Sequence, residues 1–215
     1  MNDRSWKPRA LAGAGPAVLP PGVAVEGTRR RILEAALRLF AVEGFHGSSM
    51  RELARIVELQ PSAVYVHFLS KDHLLAELVR VGHEAHQQGV RAALLGAGAD
   101  PVAQLRAIVG AHVRLHATYP HLAVVVNTEM ESLSPDLLGP GLTLREQSMA
   151  LLFDLIERGK AMGRFDPPDT TVTAAAISAM GLRVPHWYSP ASGIEMDELV
   201  EKHVELALRM VGAGR

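Results

Sequence analysis

The stretch that most constrains the fold runs from Ser48 to Lys71, SSMRELARIVELQPSAVYVHFLSK, where two short amphipathic segments meet across a turn too tight to be a linker. Ser49 followed three residues later by Glu52 predicts a capping box, in which hydroxyl and carboxylate satisfy orphan amides reciprocally. Leu53, Ala54 and Val57 then keep one helical face apolar, with Arg51, Glu52 and Arg55 on the wet side. Pro61 suits the first turn of a second helix, where its missing N–H costs nothing, and Val64 and Phe68 supply the buried side of that helix. Gln60, Ser62, Ala63, Tyr65 and His67 fall nearer the open face. This is a helix-turn-helix, and a short helix showing amide, hydroxyl, phenol and imidazole rather than acids suits a DNA major groove.

From Thr28 to Leu75 the chain resembles the TetR-type transcriptional regulators. The likeness is carried by TRRRILEAALRLFAVEGFHGSSM with its GF pair before the hydroxyl cap, by RELA, and by VYVHFLSKDHLL with its tyrosine, phenylalanine and helix-opening lysine. It implies DNA contacts from Ser48, Ser49, Met50, Gln60, Pro61, Ser62, Ala63, Tyr65 and His67, with Lys71 on a phosphate. The family has a glycine in the turn where this chain has Glu58, so either a non-glycine carries positive φ there or the turn is reshaped. In the C-terminal body, TEMESL, LIERGKAMGRF and HWYSP resemble the branch of that family associated with fatty-acid and sterol degradation, which implies an acyl-CoA effector. Arg145 and Arg183 are candidates for the phosphates of such a ligand.

Charge supports this orientation. Residues 1–75 carry ten Lys or Arg against seven Asp or Glu, net +3, whereas the remainder has twelve against sixteen, net −4. The positive end is the helix-turn-helix end, as docking on phosphates requires. The absence of cysteine removes disulfide and thiolate chemistry. Prolines at 16, 20 and 21 interrupt the apolar stretch near the start, which makes a poor signal peptide, and no run is long enough to span a membrane; the expected location is cytoplasmic.

In chain order, Pro, Gly and Ala predict a disordered arm over residues 1–25, and 26–73 form the DNA-binding domain. A helix from Thr28 to about Glu43 buries Ile32, Ala35, Ala36, Leu39 and Phe40 and stops at Gly44. Arg29, Arg30 and Arg31 at its start oppose the helix dipole, and a nearby phosphate would account for Arg29 and Arg30. Residues 74–215 form a ligand-binding and dimerisation domain, beginning with a helix capped by Ser70 that ends near Leu95. Further helices are expected from Pro101 to about Tyr119, from His121 to Leu133, beyond a Gly-Pro-Gly interruption at 139–141 to near Gly163, from Thr170 to Trp187 and from Glu195 to Val211. Strand signals are absent, so the fold class is all-α.

The last helix has apolar residues on two lines, Leu199, Leu206 and Met210 along one and Val200, Val204, Ala207 and Val211 along another, which predicts an intersubunit four-helix bundle and hence a homodimer. His112 and His116 stand at i and i+4, a spacing that can hold a metal with Glu129 or Glu131, but HVRLH lacks the glutamate that zinc proteases place between the pair. Neither a phosphate-binding glycine loop nor a nucleophile elbow appears, so no enzyme, metal or cofactor is expected. The expected ligand site instead draws on His112, His116 and Glu129 as polar groups among Val125, Met130, Met149, Leu152, Phe153, Ile156, Met180 and Trp187. The reading is a ligand-responsive repressor that binds a palindromic double-stranded DNA operator as a dimer and is released by an apolar small molecule. The alternative is a helical small-molecule-binding protein or enzyme whose N-terminal module mediates protein contacts.

Overall fold

The computed structural model describes residues 15–213. Among them are nine α-helices and no strand: α1 Gly27–Gly47, α2 Met50–Ile56, α3 Pro61–His67, α4 Lys71–Gly96, α5 Pro101–Thr118, α6 Pro120–Thr128, α7 Pro135–Ala161, α8 Thr170–Arg183 and α9 Met196–Met210. The chain divides into two compact units. One comprises residues 9–85 and 119–144, described from residue 15; the other comprises 86–118 and 145 onward among the described residues.

The first unit is built by local signals that act as the sequence predicts. Ser49 caps α2 by accepting a hydrogen bond from the Glu52 amide at 3.2 Å, one half of the expected capping box. Pro61 opens α3, and Val64 and Phe68 are buried. The helical run of α1 breaks at Gly44, whose φ of 75° and ψ of 161° a side chain would resist. Glu58 takes the glycine-like turn conformation with φ 57°, the one non-glycine residue with positive φ among the described residues. Ile32, Leu33, Leu37, Leu53, Leu74 and Leu78 are fully buried beneath these helices. Helix α6 packs on α1, and α4 approaches α6 so closely that a Cβ on Gly82 would lie 2.7 Å from a methyl of Val126.

Residues 1–14 of the expected arm lie outside the described residues. The remainder of that segment is not a free tail: Leu19, Val23 and Val25 are buried, the Leu19 amide donates to Glu34, and its carbonyl accepts from Arg30 at 2.6 Å. Three apolar side chains spaced along a short segment gave it something to bury.

In the second unit, α5 packs against α9 and α8 around a core that includes Leu105, Val109, Leu152, Leu155, Ile156, Ile177 and Leu199. Asp169 caps α8 through the Val172 amide at 2.8 Å. The interruption expected at 139–141 does not occur, and α7 runs through Pro140. Pro140 leaves only the Asp136 carbonyl without its helical donor, and both residues are exposed, so water can replace the missing bond. Gly141 is needed there for packing, since a Cβ would fall 2.5 Å from a Val79 methyl.

Candidate functional site

Among the described residues, polar chemistry collects on the exposed face of α3 and in a histidine cluster where His112 and His116 are buried. In the first, α3 presents Gln60, Pro61, Ser62 and Tyr65 outward, with Ala63 and His67 half-buried at the edges. Two expected contact residues are removed by the fold: Met50 is 7% exposed, and Ser48 is 6% exposed with its hydroxyl donating to the Phe45 carbonyl at 2.7 Å. Met50 opens α2 on the side that packs, and Ser48 closes the turn after Phe45, so both signals belong to the frame. Ser49 remains exposed as the α2 cap.

The cations expected on phosphates are bonded within the protein. Lys71 donates to the carbonyls of Phe45 at 2.6 Å and Ser48 at 2.9 Å, with its ammonium 4.3 Å from the centre of the Phe45 ring. It adds a charged donor to the Phe45 carbonyl, which already accepts from Ser48, and bonds the carbonyl of Ser48, the residue that follows α1. Arg29 donates to the His67 carbonyl at 2.8 Å, reaches Glu77 at 3.3 Å, and lies 4.2 Å from the centre of the Phe68 ring. Arg30 holds Glu34 as well as Leu19, and Arg31 donates to the Val57 carbonyl at 3.2 Å. Each of the three arginines that oppose the α1 dipole thus binds a main-chain carbonyl of another segment, at the end of α3, in the N-terminal strap and at the end of α2. Burial alone would raise the Glu77 carboxyl, but bonds and charge from Arg80, then Arg29, hold it below the ordinary carboxylate range. Arg51 and Arg55, one turn apart on α2, stand exposed.

Val66, absent from the expected set, is 82% exposed on α3. Its signal was available in the helical period, since Val66 lies opposite Val64 and Phe68.

In the second unit, His112 on α5 meets His86 of α4, Nδ1 to Nε2, at 2.7 Å. Its Nε2 donates to the Ser178 carbonyl at 3.0 Å, and His116 Nδ1 donates to the His112 carbonyl at 2.8 Å. Because a carbonyl can only accept, the neutral His112 ring carries its proton on Nε2, and Nδ1 accepts from His86 Nε2–H. Burial drives the His112 pKa down to about 3, with His116 adding repulsion, the bond to Ser178 opposing, and His203 adding a little more. The small residues of α8 admit this ring: a Cβ on Gly181 would lie 2.1 Å from His112 Cδ2. His112 therefore uses both ring nitrogens inside the protein, and among the described residues no group of three or more His, Asp or Glu is arranged to hold a metal ion.

The other residues expected around a ligand are dispersed. Leu152 and Ile156 lie in the apolar core of this unit, and Met149, Met180 and Trp187 pack against it. Phe153 turns outward, 38% exposed, because it follows Leu152 by 100° around α7 while the core takes Leu152, Leu155 and Ile156. Val125, Glu129 and Met130 belong to the first unit, where Val125 and Met130 are buried. A cleft of about 500 Å³ in the second unit is lined by Val102, Arg164, Phe165, Asp166 and Leu208, and by none of the expected ligand residues. No helix among the described residues is long and apolar enough to cross a membrane.

These features match known proteins along most of the chain. The solved structure of a bacterial regulatory protein in the tetR family from Rhodococcus RHA1 superimposes with a TM-score of 0.84 at 30% identity, covering 89% of this chain and all of that one. The transcriptional repressor KstR2 of Rhodococcus jostii is 21% identical over 184 residues, 85% of this chain and 90% of that protein. The structure of AibR, solved in complex with isovaleryl coenzyme A and operator DNA, gives a TM-score of 0.76 at 22% identity, covering 86% of this chain and 98% of that one. Curated transcriptional regulators from Escherichia coli are 38% identical over 52 residues, and the chain spans about a quarter, 26%, of their length. The family model described as "Bacterial regulatory proteins, tetR family" matches residues 32–78, and that described as "Tetracyclin repressor-like, C-terminal domain" matches 98–211. With its helix-turn-helix under one model and more than half its length under the other, the chain belongs to the tetR family of bacterial regulatory proteins.

Proposed function

We propose that this chain is a ligand-responsive transcriptional repressor that binds a palindromic operator as a homodimer. The observation that carries the reading is the construction of α3: an exposed helix without acidic side chains, its C-terminal end held by Arg29 through the His67 carbonyl, while Lys71 ties down the carbonyls of Phe45 and Ser48 ahead of α2. A reading head that must dock in one orientation gains from such a rigid frame. In this reading Gln60, Ser62 and Tyr65 face base edges, while Arg51 and Arg55 on the first helix of the motif, the one that crosses the backbone, meet phosphates. Arg29, Arg30 and Lys71 act by fixing the frame.

Dimerisation is assigned to α8 and α9. Leu199, Val200, Val204, Ala207 and Val211 are covered within the chain, leaving Leu206 of α9 and Val172 of α8 exposed as apolar residues for a second copy. The effector is assigned to the apolar class that includes acyl-CoA thioesters. Its support is the likeness to AibR and the body motifs, together with a polar cluster of half-buried His86 with buried His112 and His116 beside the apolar core of that unit.

The test is operator selection from random duplexes with the full-length protein, followed by affinity measurements at several salt concentrations. The reading expects a two-fold symmetric site, and a log–log salt slope that falls by about 1 for each of Arg51→Ala and Arg55→Ala while Arg30→Ala leaves it unchanged. Adding isovaleryl-CoA or a long-chain acyl-CoA should weaken operator binding, because only a ligand with unequal affinity for the two shapes can shift them. Absence of any salt-dependent DNA binding would overturn the function as a whole.

A further inference from the structure

Val66 is 82% exposed, an isopropyl group standing in water on the helix assigned to base reading. Its direction follows from the backbone. Val64 and Phe68 are buried, and at 3.6 residues per turn Val66 points about 180° from the midpoint of that pair, with exposed Ser62 about 40° away. It is therefore at the centre of the outward face, whereas Tyr65 lies on its flank. Leu69, also exposed at 74%, follows the residue that ends the helix and is not on that face. A β-branched side chain on a helix is nearly fixed at χ1, so Val66 offers a rigid apolar knob with no donor or acceptor. From Leu59 to Ser70 there is no acidic residue to repel a phosphate backbone from this surface.

The major groove presents donors and acceptors from every base pair but only one apolar group, the C5-methyl of thymine. We infer that Val66 is a specificity determinant that packs on the C5-methyl of one thymine in each operator half-site. The assignment rests on the DNA-binding reading above and adds to it the base class that this position selects. It also explains why a residue that buries nothing within the chain is apolar.

Replacing thymine by uracil removes the methyl and nothing else from the groove. On the half-site selected with the wild-type protein, each thymine is replaced singly by uracil and the duplexes are titrated with the wild type, Val66→Ala and Val66→Ile. At one thymine per half-site the wild type should lose about fourfold in affinity, the worth of one methyl removed from water. Val66→Ala should bind the thymine and uracil duplexes alike at that position, and Val66→Ile should keep the preference. At its exposure, Val66→Ala leaves the fold intact. Equal thymine-to-uracil ratios for wild type and Val66→Ala at every position, or a selected half-site without thymine, would overturn the inference while leaving DNA binding in place, and would assign the knob to a protein partner. Failure to enrich any sequence would overturn the DNA-binding reading itself, and this inference with it.

Discussion

Acid should unfold this protein through His112. The ring is held neutral in the folded chain with a pKa of about 3, whereas in the unfolded chain it titrates near the ordinary 6.5. Between those values the unfolded state takes up a proton that the folded state refuses, so stability rises with pH across the window. The contribution is complete above pH 6.5 and is lost as pH falls toward 3. Integrating the linkage relation from pH 7 to pH 5 gives a loss of about 2 kcal/mol from this one ring. The charged form fails for reasons visible around the site: burial removes water, Nε2 is committed to the Ser178 carbonyl, Nδ1 faces His86, and His116 and His203 would repel a second positive charge. The assay is urea unfolding of the wild type and His112→Gln at pH 7, 6 and 5, at one protein concentration because the apparent stability of the proposed dimer would depend on it. Glutamine cannot titrate, and every other group is shared, so the difference between the two pH slopes isolates His112. The wild type should lose about 2 kcal/mol more than the variant over this range. Parallel pH dependences would refute the claim that the neutral ring is what the core requires.

Lys71→Met removes two charge-assisted bonds to carbonyls at the end of α1 and should cost about 2 kcal/mol of stability, read as a lowered Tm, without changing the salt slope of DNA binding. An unchanged Tm with a reduced slope would return Lys71 to the phosphate backbone. Glu58→Gly relieves the left-handed conformation at φ 57° and should stabilise the protein by up to about 1 kcal/mol; destabilisation in urea would mean that the Glu58 side chain contributes more than the strain. Gly181→Ala places a methyl 2.1 Å from His112 Cδ2 and should cost about 1–3 kcal/mol, and a variant as stable as the wild type would show that α8 can shift to accommodate it.

What the sequence determined by itself is the set of features encoded within a few residues. The cap at Ser49, the proline start of α3 and the break at Gly44 follow from local backbone preference, and each is where the chain alone predicts it, whereas at Glu58 the sequence left a positive φ and a reshaped turn both open and the structure has φ 57°. The helix-turn-helix was legible for the same reason, since its pattern fits within one short segment. The tertiary structure decided the partners of long and polar side chains. Arg29, Arg30 and Lys71 read as phosphate contacts until the fold brings carbonyls from 11 to 38 residues away within reach of them. His112 pairs in sequence with His116 but bonds to His86 and Ser178, 26 and 66 residues distant. Pro140 reads as a helix breaker because nothing local says that its orphaned carbonyl will face water. A flexible cation or an imidazole satisfies whichever group is nearest, and nearness across tens of residues is set by how the helices pack rather than by the residues flanking it.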